Sequence, residues 1–110
     1  MRERDVEQAL VRAVRKAGGL CLKFVSPGWD GAPDRICLFP GGRVAFVEVK
    51  RPGAKPRPLQ ARRFTQLRKL GFDVAVVDSM ENMAQFVTER AAQFVTEREA
   101  QFGGGGVAGT

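Results

Sequence analysis

Along the first seventeen residues, apolar side chains recur at Val6, Ala9, Leu10, Ala13, Val14 and Ala17. This i, i+3, i+4, i+7 spacing predicts an amphipathic helix over Arg2–Ala17, ended by Gly18-Gly19. Leu20–Val25 then reads as a strand. Ser26-Pro27-Gly28-Trp29-Asp30-Gly31-Ala32-Pro33 is dense in turn formers and is predicted to be a loop. Asp34–Phe39 and Arg43–Lys50 read as two strands joined by Pro40-Gly41-Gly42, a β-hairpin. Arg51–Arg57 holds Pro52, Gly53 and Pro56 and reads as loop. Pro58 can open a second helix carrying Leu59, Phe64, Leu67 and Leu70 and closed by Gly71, with a fourth strand at Phe72–Val77.

Beyond residue 80 the pattern changes character. Ala84-Gln85-Phe86-Val87-Thr88-Glu89-Arg90 recurs intact at Ala92–Arg98, and Ala100-Gln101-Phe102 begins a third copy, a period of eight. Eight residues make about 800° of helix, so the phenylalanines drift by roughly 80° per copy and do not form one stripe. A tandem duplication fits this better than a solenoid, whose units run to roughly 20 residues or more. The expectation is one helix from Glu81 to about Ala100, partly exposed or packed against a second chain. A mobile Gly-rich tail is expected over 103–110. The domain organisation expected is therefore a core over residues 1–80, a helical segment over 81–102 and the tail.

A length of 110 residues with 44% hydrophobic content suits one small domain. Cys21 and Cys37 both lie in apolar runs, where a thiol acts as a small buried hydrophobe, and they read as reduced core residues. No run approaches the roughly 18 apolar residues of a membrane span, and the basic start lacks the apolar core of a signal peptide, so a cytoplasmic location is expected. The net charge of +6 is unevenly spread. Residues 1–78 carry 16 Lys plus Arg against 8 Asp plus Glu, and residues 79–110 carry 2 against 4. Between 51 and 70 there are seven cations and no acid. That density suits a polyanion such as nucleic acid, the alternative being a solvated helix face. The chain has no His and no Tyr. Imidazole bases, His-ligated zinc and tyrosine nucleophiles are thereby excluded, leaving carboxylates, lysines, hydroxyls, backbone groups and bound water.

The hairpin holds the candidate chemistry. If Phe39 pairs with Arg43 across a three-residue turn, paired positions sum to 82 and Asp34 falls opposite Glu48, with Cβ atoms about 5 Å apart. Alternation puts Glu48 and Lys50 on the face of Asp34, and Val47 and Val49 on the other. Two facing carboxylates repel unless something lies between them, and a divalent cation is the natural candidate. Oxygen donors without His or Cys suit Mg²⁺ or Mn²⁺. Lys50 could orient an attacking water or neutralise charge on the transition state. The alternative is a strand-opening Asp34 and a Glu48 paired with a cation at the rim. Glu7 has Leu10, Val11 and Val14 at i+3, i+4 and i+7, an apolar flank where an acid needs a partner. That partner is either the metal or the positive end of its own helix. Gln60, early in the second helix, could contact a phosphate or a metal-bound water, or be a surface residue. Trp29 could stack on a splayed base or cap the core, and core contact is the favoured reading.

Pro33-Asp34 followed by Glu48-Val49-Lys50 matches the PD-(D/E)xK signature. With Glu7, Gly31-Ala32-Pro33-Asp34-Arg35 and Gln60, the pattern over residues 3–78 resembles the VRR-NUC family of that nuclease superfamily. The resemblance implies an α/β, restriction-endonuclease-like αβββαβ core with a mixed sheet flanked by helices, here followed by a C-terminal helix. It implies that Glu7, Asp34, Glu48 and the Val49 carbonyl bind metal, that Lys50 is the catalytic lysine and that Gln60 is accessory. Compact members of the family, from phages and bacteria, are associated with homodimers that cut branched DNA such as four-way junctions. The duplicated segment from Ala84 departs from the family pattern.

The reading that follows is a Mg²⁺- or Mn²⁺-dependent DNA endonuclease, with one active site per strand and hence a homodimer for symmetric cleavage. Arg51, Lys55, Arg57, Arg62 and Arg63 would hold backbone phosphates. Two other classes compete: a catalytically silent basic nucleic-acid-binding module, and an interaction protein organised by the repeated helix. The missing His and Tyr also remove His-Asn-His and GIY-YIG nuclease chemistry, leaving the carboxylate-and-lysine design.

Overall fold

The computed structural model describes the backbone of residues 1–103 and the side chains of residues 1–92. The chain runs α1 (Glu3–Lys16), β1 (Leu20–Lys23), β2 (Arg35–Phe39), β3 (Arg43–Val49), α2 (Pro58–Lys69), β4 (Asp73–Val77) and α3 (Met80–Gly103). This is the expected αβββαβ order with a C-terminal helix. The tail expected over 103–110 lies, past Gly103, outside the described residues.

The sheet order is β1-β2-β3-β4, with β1/β2 and β2/β3 antiparallel and β3/β4 parallel. The first three strands need only turns between them, whereas a parallel neighbour requires a crossover, which α2 supplies. β1 ends two residues before the expected Val25. Its last partner is Arg35, where β2 begins; the Phe24 N–H still reaches the Asp34 carbonyl at 2.7 Å, and Val25 is exposed. α3 starts one residue earlier than expected and runs past Ala100. Its start is fixed by a reciprocal cap: the Asn82 N–H donates to Ser79 Oγ at 3.0 Å, and Asn82 Oδ1 accepts the Ser79 N–H at 3.1 Å. The alanines, glutamines and glutamates of the copies are good helix formers, so nothing stops the helix at the expected residue.

Alternation along the strands divides the sheet into two unlike faces. On one face, Cys21, Cys37, Phe39, Ala45, Val47, Val49 and Val77 pack against Val6, Leu10 and Val14 of α1 and Met83, Phe86 and Val87 of α3. The first Ala84–Arg90 copy therefore packs on its own chain's core. Phe86 meets Phe39 edge to face at 6.0 Å, and Arg90 both forks onto Asp73 at 2.8 and 2.6 Å and lies over the Phe86 ring at 4.5 Å. Cys21 and Cys37 pair across β1 and β2 as free, buried thiols. Hydrogen bonding between the two thiols, with burial, pushes the Cys37 thiol up and keeps it protonated. The other face is covered by α2 only in part. Phe64 is buried there beside Val74, but Leu20, Leu22, Val44 and Phe72 stay exposed around an edge-to-face row of Phe24, Phe46 and Phe72 at 5.4 and 5.8 Å. No helix among the described residues is long and apolar enough to cross a membrane.

Candidate active site

Gly41 and Gly42, at φ 86° and 78°, provide the left-handed backbone that closes the hairpin in three residues. Phe39 pairs with Arg43 and Arg35 with Val47, as the sequence spacing predicts. One residue further on, the same register sets Asp34 against Glu48. The repulsion expected between two bare carboxylates is relieved locally, because each has found donors. Asp34 Oδ2 accepts the Val49 N–H at 3.2 Å. Glu48 Oε2 receives the Lys50 ammonium at 2.9 Å and the Gln60 side-chain amide at 2.9 Å.

Glu48 is the unusual member. It is only 2% exposed, yet its Oε1 has no hydrogen-bond partner in the structure. Burying a carboxylate oxygen without a partner costs several kcal/mol, so the group favours its neutral form. Burial holds the Glu48 carboxyl above the usual carboxylate range and the Asp34 charge adds to this, while the hydrogen bond from Lys50 pulls the other way. Gln60 is held from both ends: its Oε1 accepts the Arg57 N–H at the start of α2 at 2.9 Å, which aims the amide nitrogen at Glu48. This end-on fixation makes Gln60 a buried residue, not the surface glutamine of the alternative reading.

The loop that delivers Asp34 is pinned to α2. Pro33 is fully buried, and Gly31 sits at φ 87° so close to the helix that a Cβ would meet Leu59 Cγ at 3.0 Å and Arg63 Cγ at 3.1 Å. The Arg63 Nε–H donates to the Asp30 carbonyl at 2.8 Å, and its guanidinium lies 4.8 Å from the Trp29 ring centre. Trp29 is half-buried under that arginine, which accords with a packing role. Arg51, Lys55, Arg57 and Arg62 are exposed, with Arg57 on the rim of an open depression lined by Asp30, Gly31, Ala32, Leu59 and Gln60. Arg63 differs from these four in having its guanidinium already engaged.

Asp34, Glu48, Lys50 and Gln60 thus come together, and Glu7 does not join them. It lies on α1, across the sheet, and its Oε2 meets Arg35 Nε at 3.3 Å. The expected partner for this acid on an apolar flank exists and is an arginine. Strand alternation carries Arg35 to the face opposite Asp34, so the pair could have been inferred from the period of two. The Arg63 clamp carried no local signal, since it joins residues 33 apart in the chain.

An orphaned buried carboxylate oxygen close to the charge of a second acid, Asp34, offers hard oxygen donors, which suit a divalent cation. Among the described residues no group of three or more His, Cys, Asp or Glu is gathered. The fit is therefore of the kind in which two carboxylates hold the ion and water or substrate completes the shell.

Comparison with known proteins identifies the family. The family model of the VRR-NUC domain matches residues 2–81. The chain belongs to the VRR-NUC family. Over 81 residues it is 49% identical to "Putative nuclease p44" of Acyrthosiphon pisum secondary endosymbiont phage 1, covering 74% of this chain and 87% of that protein. A solved structure described as a VRR_NUC domain superposes with a TM-score of 0.74 at 31% identity, over 80% of this chain and 97% of the other. The VRR-NUC match makes this a nuclease domain, and it ends at residue 81, before the first Ala84–Arg90 copy.

Proposed function

We propose that this VRR-NUC protein is a divalent-metal-dependent DNA endonuclease that hydrolyses phosphodiester bonds with a water nucleophile and leaves a 5′-phosphate. The observation that carries the reading is the buried, half-partnered Glu48 facing Asp34, with Lys50 on its second oxygen. In this reading Asp34, Glu48 and the Val49 carbonyl hold Mg²⁺ or Mn²⁺. A cation there would supply Lewis acidity toward the phosphate and help ionise water. Its charge would also favour the ionised form of Glu48 that burial disfavours. Lys50, 2.9 Å from Glu48, lies beside the reacting phosphate in this reading, where charge develops in the transition state. Gln60 fixes the rotamer of Glu48 and acts through it. Glu7 is paired with Arg35 on the opposite face of the sheet, and a direct ligand role requires it to leave that arginine.

Arg51, Lys55, Arg57 and Arg62 track backbone phosphates, a contact independent of sequence. Branched or junction DNA is the proposed substrate and a homodimer the proposed assembly, since one site cuts one strand. The uncovered apolar part of the sheet, around Leu20, Leu22 and Val44, supports a second copy as partner. An intracellular site of action goes with this substrate.

The test incubates supercoiled plasmid and a synthetic four-way junction with wild type and Lys50→Ala, in Mg²⁺, Mn²⁺ or EDTA. Metal-dependent nicking and junction cleavage by wild type, lost in Lys50→Ala and in EDTA, is the expected result. Equal cutting by both proteins, or none by wild type with metal, overturns the proposal; binding without cutting would point to the silent nucleic-acid-binding module.

A further inference from the structure

The cations of α1 have no part in the site described so far. Arg4, Gln8 and Arg12 succeed one another at i, i+4 and i+8, so they form one exposed row on the helix. That row borders a pocket between α1 and the start of β2, lined by Arg4, Glu7, Gln8, Val11, Arg12 and Arg35. Two acids of the helix are already engaged, Asp5 by Arg2 and Glu7 by Arg35. The third, Glu3, is about 100° round the axis from Arg4. Arg4 and Arg12 make no ion pair among the described residues and stand at the mouth of this pocket as two excess positive charges. Arg35, which also lines it, directly follows Asp34 in the chain, so the pocket adjoins the catalytic end of the hairpin. It does so from the α1 side of the sheet, opposite the cations of residues 51–62.

We infer that this arginine row is a second phosphate-binding surface, which takes the DNA backbone on the far side of the active-site cluster. Arg4 and Arg12 are about 12 Å apart along the helix, and a DNA strand advances about 3.4 Å per phosphate, so the two engage separate phosphates. Guanidinium forks suit phosphate oxygens better than a point charge does. With cations on both sides, the scissile strand is held across the hairpin end, where Asp34 and Glu48 lie. The inference rests on the nuclease reading above and deepens it by assigning a further part of the DNA footprint.

The experiment measures binding of a fluorescently labelled duplex by anisotropy in EDTA, over a salt series, for wild type, Arg4→Ala/Arg12→Ala and Arg4→Lys/Arg12→Lys. The alanine pair is expected to weaken binding roughly tenfold and to reduce the slope of log K against log salt by about 2. The lysine pair should keep the wild-type slope. Thermal melting of all three should coincide, because both side chains are exposed. An unchanged slope in the alanine pair, with wild type binding and cutting DNA, overturns this inference alone. A wild type that neither binds nor cuts DNA overturns it together with the nuclease reading.

Discussion

Val47 and Val49 are buried on one face of the sheet beneath α1 and α3, and Glu48, the residue between them, is buried as deeply on the other. The valines lose water and gain packing on all sides. Glu48 loses water and gains Lys50 and Gln60 on one oxygen only. The covered face carries the apolar core and so holds the fold together, whereas the half-covered face keeps a carboxylate in an environment that disfavours its charge. A pair of strands can do both because alternation sends neighbouring residues to opposite sides. The contrast predicts that substitutions on the two faces separate stability from activity.

The largest effect expected is on catalysis. Glu48→Gln keeps the shape and removes the charge, and cleavage should fall about a thousandfold, or about 4 kcal/mol in the barrier. Stability in EDTA should change by less than about 1 kcal/mol, since the isosteric neutral residue removes a buried charge and this gain offsets the lost ion pair with Lys50. Single-turnover cleavage and urea unfolding measure the two quantities. A large loss of stability with cleavage intact would reverse the roles assigned to the faces.

On the covered face the expectation is the converse. Leu10→Ala should lower stability by about 2–5 kcal/mol, through lost transfer energy and a residual cavity. Cleavage per folded molecule should stay within about twofold of wild type when measured well below the melting transition. A thousandfold loss there would show that α1 shapes the chemistry directly.

A smaller effect separates the two forms of Glu48 by pH. Its carboxyl is held above the usual range in the folded protein, so on acidification the folded state takes up the proton before the unfolded chain does. The destabilising contribution is present above the folded pKa and fades as pH falls through it toward the unfolded value. In EDTA, wild type should therefore gain stability relative to Glu48→Gln as pH is lowered across that window. A gap between the two proteins that ignores pH would mean that Lys50 and Gln60 compensate the buried charge in full.

The period of two and the Pro40-Gly41-Gly42 turn made the site's main axis legible in sequence, since together they fix the pairing of Phe39 with Arg43 and bring Asp34 to Glu48. The helix pattern likewise placed Val6, Leu10 and Val14 in the core. What sequence left open was partner choice between distant elements. The sequence offered Glu7 a metal or its helix dipole, but how α1 lies over β2 pairs it instead with Arg35. Gln60 showed no sign of burial in its local pattern, because Arg62 and Arg63 follow it, yet tertiary packing places it on Glu48. The greater extent of α3 has a different cause: the duplication continues good helix formers past Ala100.

The smallest effects distinguish Arg62 from Arg63, neighbours in sequence with one expected role. Arg62 is exposed, and Arg62→Ala should reduce the salt slope of DNA binding by about 1 while leaving the single-turnover rate unchanged. Arg63 instead spans the Asp30 carbonyl and the Trp29 ring, holding the loop that ends at Asp34. Losing that hydrogen bond and cation–π contact should lower stability by about 1 kcal/mol. It should also cut the single-turnover rate several-fold, since an Asp34 displaced by a loosened loop is poorly placed for chemistry. Arg63→Lys retains the charge but cannot reproduce the planar stack, so it should resemble Arg63→Ala in rate. Were the lysine variant to behave as wild type in rate and the alanine variant to change only the salt slope, Arg63 would be a phosphate contact like its neighbour. The loop would then owe its position to Pro33 and Gly31 alone.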